Sequence, residues 1–83
     1  MLFRSSLQTN STGQYNTALG YLSLFANTTG ADNTAISSGA LTTNTTGQYN
    51  IAIGNDSLGY STTASYNTAV GYRSMLLDRK SVV

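Results

Sequence analysis

Apolar side chains return along this chain every 17 residues and form two columns. One column contains Leu2, Leu19, Ile36, Ile53 and Val70, and the other contains Leu7, Leu24, Leu41, Leu58 and Met75. Such self-similarity at a fixed period is the signature of a repeat architecture. It predicts one repeat domain over residues 1–77, with a partial unit over 1–9 and full units starting at residues 10, 27, 44 and 61.

Within each unit, one short segment alternates between two faces as a β-strand does. In the first full unit, Thr17 and Leu19 share one face, while Asn16, Ala18 and Gly20 share the other. Common helical repeats are longer, at about 33–47 residues, and Asn, Thr and Gly at the unit boundaries oppose helix formation. The chain therefore predicts an all-β parallel β-solenoid built from 17-residue coils.

Two further segments complete the predicted coil. Leu22, Ser23 and Leu24 are expected to form a second short strand that ends on the Leu column. The "NTTG" stretch at 27–30 is expected to form a corner, because Gly accepts a positive φ and Asn or Thr can hydrogen-bond the local backbone. The Leu19 column is expected to point inward with the Leu24 column.

Two polar or small columns have predicted structural roles. Stacked Asn side chains are expected to form an amide ladder along the solenoid, as in cross-β stacks; they are Asn16, Asn33, Asn50 and Asn67. The residue two positions after each of these Asn residues is always Ala, which suggests that another part of the structure packs closely against that face. We expect this neighbour to be another chain, which would touch Ala18, Ala35, Ala52 and Ala69.

Composition narrows the functional classes. The 83 residues include no His and no Cys, the commonest general base and the strongest nucleophile, so we expect no enzyme and no cofactor. The carboxylates Asp32, Asp56 and Asp78 form no obvious pair in the repeat. A net charge of +1, with 8% charged residues, is too weak for nucleic-acid binding, and we expect no metal site and no nucleic-acid partner.

Surface positions that vary between units are candidates for binding. Tyr rings can stack on sugars and are enriched at interfaces, and the candidates are Tyr15, Tyr49, Tyr66, Tyr21 and Tyr72. An ice-binding solenoid is an alternative, because Thr17, Thr34 and Thr68 form a regular Thr column. Against this alternative, Ile51 interrupts the column, and Thr17 shares the presumed inward face of Leu19.

The pentads "NTALG", "NTAIS", "NIAIG" and "NTAVG", each followed within a few residues by Leu or Met, resemble the head repeats of YadA-like trimeric autotransporter adhesins. The resemblance implies a left-handed parallel β-roll, intertwined or side by side in a homotrimer. It places the Leu19 column inside the roll and the Ala column between protomers. The adhesin heads use a shorter unit, so this chain is similar to a 17-residue variant that also occurs in phage tail-fibre and other surface-fibre proteins.

The function that the resemblance implies is attachment by a non-catalytic segment of an extracellular trimeric fibre. The expected location is the cell surface or a virion tail, within a longer exported or assembled fibre, and the expected ligand is a host-surface protein or glycan. A phage tail-fibre shaft or receptor-binding segment is the alternative. We expect no direct membrane insertion, and we expect the charged tail at 78–83 to begin a neck or linker.

Overall fold

The computed structural model describes residues 6–75, which contain four short strands and no helix. The strands are β1 (Thr17–Leu19), β2 (Thr34–Ile36), β3 (Ile51–Ile53) and β4 (Thr68–Val70). None of the described residues belongs to a helix that is long and apolar enough to cross a membrane. Leu2 and the predicted tail at 78–83 lie outside the described residues.

The four strands form one open parallel sheet in the order β1-β2-β3-β4. Thr17 pairs with Thr34, Thr34 with Ile51, and Ile51 with Thr68, so each strand is in register with the next at a shift of 17 residues. Identical positions of successive units therefore lie side by side, about 4.8 Å apart. The predicted all-β class is confirmed, and the parallel stack is consistent with a β-solenoid.

The segment after each strand consists of tight turns, so the predicted second strand at Leu22–Leu24 is wrong. The amide of Ser23 donates to the carbonyl of Gly20 at 3.2 Å, and that of Phe25 donates to the carbonyl of Leu22 at 3.2 Å. Leu22 and Leu24 have φ values of 63° and 50°, which suit the third residue of a type II turn. Backbone hydrogen bonds between units hold the turns in a stack; for example, the amide of Leu24 donates to the carbonyl of Ala40 at 3.0 Å.

The core lies between the strands and these turns. Leu24, Leu41 and Leu58 are fully buried, as predicted, and they pack with the strand residues Ala35, Ala52 and Ala69, which are also fully buried. Leu7, Ala18 and Met75 complete the cluster near its ends. Each strand thus turns its central Ala inward.

The prediction that the Leu19 column points inward and the Ala column points outward is therefore wrong. The structure has the opposite arrangement. Leu19 and Ile53 are each 37% exposed and Val70 is 53% exposed, whereas Ala52 and Ala69, beside the last two in the chain, are fully buried. The reason is the width of the interior. A 17-residue unit encloses a space that Leu from the turns and the buried Asn residues already occupy, so only a methyl group fits on the strand.

The corners at "NTTG" lie where the sequence predicts, with three successive amides bound to one carbonyl, but the expected positive φ at the corner Gly is wrong. The amides of Thr28, Thr29 and Gly30 donate to the Thr45 carbonyl at 3.0–3.2 Å. A Cβ on Gly30 would collide with the Gly47 carbonyl of the next unit. This close approach of backbones explains why Gly recurs at the corner.

Candidate binding surface

The outward face of the sheet is an array of Thr and aliphatic side chains. Residues on either side of the central Ala point away from the core, which gives each strand the burial pattern of out, in, out. The first outward column contains Thr17, Thr34, Ile51 and Thr68, and the second contains Leu19, Ile36, Ile53 and Val70. We name these eight residues the outward sheet face. Because parallel strands lie about 4.8 Å apart, the aliphatic side chains are contiguous.

Exposed Tyr residues border the strands on both sides, as the sequence predicts. Tyr15 and Tyr66 are 79% and 75% exposed, and the ring of Tyr49 stacks on Tyr66 with 5.0 Å between centroids and 13° between planes. On the other side, Tyr21 and Tyr72 are exposed, and the Arg73 guanidinium lies 5.8 Å from the Tyr72 ring centroid. The predicted Tyr candidates are therefore accessible, while what they bind stays a prediction.

The predicted Asn ladder has a different bonding pattern from stacked amides. Asn33 is buried; its backbone amide donates to Oδ1 of Asn16 at 3.0 Å, and its Nδ2 donates to the Gly47 carbonyl at 2.8 Å. Asn50 repeats both bonds one unit later. The side chains of Asn16, Asn33 and Asn50 therefore each join backbone groups of neighbouring units. Burial leaves Asn33 and Asn50 no surface for a ligand.

Amide-to-amide bonds occur instead in the corner column. Nδ2 of Asn27 donates to Oδ1 of Asn10 at 2.7 Å, and Nδ2 of Asn44 donates to Oδ1 of Asn27 at 2.9 Å. The sequence shows this column at the same period of 17, so the spacing revealed the stacking. It could not reveal which of the two Asn columns stacks its side chains on each other.

The predicted role of the Ala column as a contact with another chain is wrong. Ala35, Ala52 and Ala69 have no exposed surface, and Ala18 at the edge of the stack packs against the core cluster. A neighbouring chain therefore cannot touch the column along its length. Any contact through this sheet would involve the outward sheet face.

A groove among the turns contains residues that the sequence analysis did not single out as a site. Its volume is about 140 Å³, and its lining residues come from three successive units: Thr42, Thr43, Asp56, Gly59, Tyr60 and Arg73. Asp56 and Arg73 are 17 residues apart, so the period would have placed them in one column. Tyr60 is 62% exposed.

The described residues include no group of three or more His, Cys, Asp or Glu side chains that could hold a metal ion. Comparison of the chain with protein-family models, with curated proteins and with solved structures yields no match. The function must therefore be argued from the surfaces of the molecule itself.

Proposed function

We propose that this chain is a non-catalytic segment of an extracellular attachment fibre. In this proposal it is a left-handed β-solenoid of 17-residue coils that forms a homotrimer through its outward sheet face. The observation that supports the proposal most is the exposure of Leu19, Ile53 and Val70 on one face of an in-register parallel stack. Contiguous exposed aliphatic side chains mark interaction surfaces in soluble proteins.

Self-association through this face agrees with the properties of the chain. Parallel sheets usually have both faces covered, and here the inner face is covered by the turns while the outer face is bare. Charges are absent from the outward sheet face, so three copies can meet there without burying an unpaired ion. The Tyr residues at its borders would form the rim of the contact or face a ligand on a host surface.

A test of the proposal introduces a charge at the centre of the face. The wild-type chain is expected to sediment with a mass of about 26 kDa, three times the 8.7 kDa of one chain. Ile53→Glu should shift the protein to monomer, because association would bury an unpaired carboxylate. Thr46→Glu places the same charge on an exposed corner of the same unit and should remain trimeric. A monomeric wild-type chain, or an Ile53→Glu trimer, would refute trimer formation through this face.

An ice-binding module is a second candidate that one observation favours. Thr17 and Thr68 point outward and are exposed, so the objection that Thr17 lies on the inward face no longer holds. A regular Thr array beside an aliphatic column is the type of surface expected of such a module. Thermal hysteresis should then be measurable for the wild type and for Thr46→Leu, and it should be lost in Thr34→Leu. Absence of hysteresis in the wild type would exclude this candidate.

A further inference from the structure

Two side chains of opposite charge lie in one column on the turns, across the core from the sheet. The column contains Leu22, Gly39, Asp56 and Arg73, all with φ between 54° and 77°. Asp56 and Arg73 belong to successive units, so their backbones lie about 4.8 Å apart. Only three charged residues occur in the described part of the chain, and two of them are in this column.

The groove beside this column exists because its units depart from the repeat. Gly39 stands where the preceding unit has Leu22, and a Cβ there would collide with Oδ1 of Asp56, so the missing side chain makes room for the carboxylate. Gly59 stands where the two preceding units have Phe25 and Thr42. Gly59 lines the groove, whose volume is about 140 Å³, and the Asp56 carboxylate that takes the room at Gly39 lines it as well.

The functional groups that line the groove are free to bind a ligand. In the described chain, Asp56 accepts a single side-chain hydrogen bond, from Asn55 at 3.4 Å, and forms no ion pair with Arg73. The Arg73 guanidinium contacts the Tyr72 ring and donates no hydrogen bond within residues 6–75. Tyr60 has an exposed ring beside these two groups.

We propose that this groove binds one hexose unit of a glycan. An aromatic ring offers a face for the C–H groups of a sugar, a carboxylate accepts hydrogen bonds from hydroxyl groups, and a guanidinium donates to hydroxyl oxygens. The volume of about 140 Å³ is roughly ten times the ~10–15 Å³ that one water requires, so the groove has room for a ligand much larger than water. The hydroxyls of Thr42 and Thr43 already donate to backbone carbonyls, so they can serve the ligand only as acceptors.

This inference deepens the proposed attachment role and depends on that role for its biological meaning, but its test is separate. The ¹⁵N-labelled full chain is titrated with the methyl α-glycosides of glucose, mannose and galactose while amide spectra are recorded. Saturable shifts are expected at Gly59, Tyr60 and Arg73 with at least one glycoside. If sedimentation shows a trimer and no glycoside shifts these amides, the groove proposal fails while the fibre proposal stands.

Variants distinguish binding in the groove from binding elsewhere on the surface. Tyr60→Ala and Arg73→Gln should each raise the Kd for the glycoside about tenfold. Gly59→Thr introduces the residue type found at Thr42, one unit earlier in the same column, and should abolish the shifts by filling the groove. Thr46→Ala, on an exposed corner outside the groove, is the control and should change Kd by less than about twofold. Circular dichroism checks that each variant keeps the wild-type fold. Shifts that persist unchanged in folded Tyr60→Ala and Gly59→Thr would overturn the proposal.

Discussion

Ala35 and Ile36 are neighbours in the chain, yet the smaller side chain is the buried one. Ala35 has no exposed surface, whereas Ile36 lies on the outward sheet face and is partly exposed. Burial usually favours the larger apolar residue, at about 25 cal/mol per Å² of apolar area. Here the close packing of the interior prevails, because Leu24 and Leu41 from the turns leave room for a methyl group only.

The inward position of Ala35 and the outward position of Ile36 predict different effects of substitution on stability. Ala35→Leu should lower the free energy of unfolding by about 1–3 kcal/mol, because the added atoms overfill the core. Ile36→Leu conserves volume at an outward position and should change it by less than about 0.5 kcal/mol. Urea unfolding followed by circular dichroism measures both. Equal stabilities of the two variants would contradict the inward position of the Ala column.

At the scale of the element, the end of each strand requires a backbone conformation that few residues adopt easily. Gly20, Gly54 and Gly71 follow β1, β3 and β4 with φ between 130° and 135°. Ser37 follows β2 in the same column with a φ of 102°. A side chain at positive φ away from the left-handed helical region is strained, at a cost on the order of 1–3 kcal/mol.

We therefore predict that Ser37→Gly stabilises the protein. Relief of backbone strain should exceed the greater flexibility of Gly in the unfolded chain, which offsets about 0.5–1 kcal/mol of the gain. The thermal midpoint should rise by a few degrees, which differential scanning calorimetry would detect. The reverse change, Gly54→Ser, should lower the midpoint, because a Cβ there would lie 2.5 Å from the Gly71 carbonyl oxygen. A fall in midpoint for Ser37→Gly would disprove the argument.

At the scale of the molecule, nearly every contact is made between adjacent units. The sheet hydrogen-bonds β1 to β2, β2 to β3 and β3 to β4, and the turns and corners follow the same order. In such a linear array, stability is the sum of unit and nearest-neighbour terms. Among the described residues, β1 and β4 each pair with a strand on one side only, so their outer edges form the two ends of this sheet.

Covering the outward sheet face in a trimer should then couple stability to concentration. The thermal midpoint of the wild type is expected to rise as protein concentration increases, because association stabilises the folded state by mass action. Ile53→Glu should unfold at a midpoint independent of concentration, whereas Thr46→Glu should behave as the wild type. A wild-type midpoint that is constant over a hundredfold concentration range would argue against the trimer.

The sequence by itself determined the period, the alternating strand of each unit, the parallel register of these strands and the position of the corners, but it predicted a second strand at the turns that does not form. These features follow from spacing, because units of equal length place equivalent residues side by side. Alternation also identified two faces on each strand, since successive side chains point to opposite sides.

Only the tertiary structure decided which face points inward. The alternation of Thr, Ala and Leu does not indicate which face is buried unless the width of the interior is known. That width depends on how the turns fold back over the strand. The turns themselves hold Leu24 at positive φ, a conformation that local preference opposes and burial in the core compensates. The groove at Asp56, Tyr60 and Arg73 likewise arises from three units stacked together, so no single unit could have predicted it.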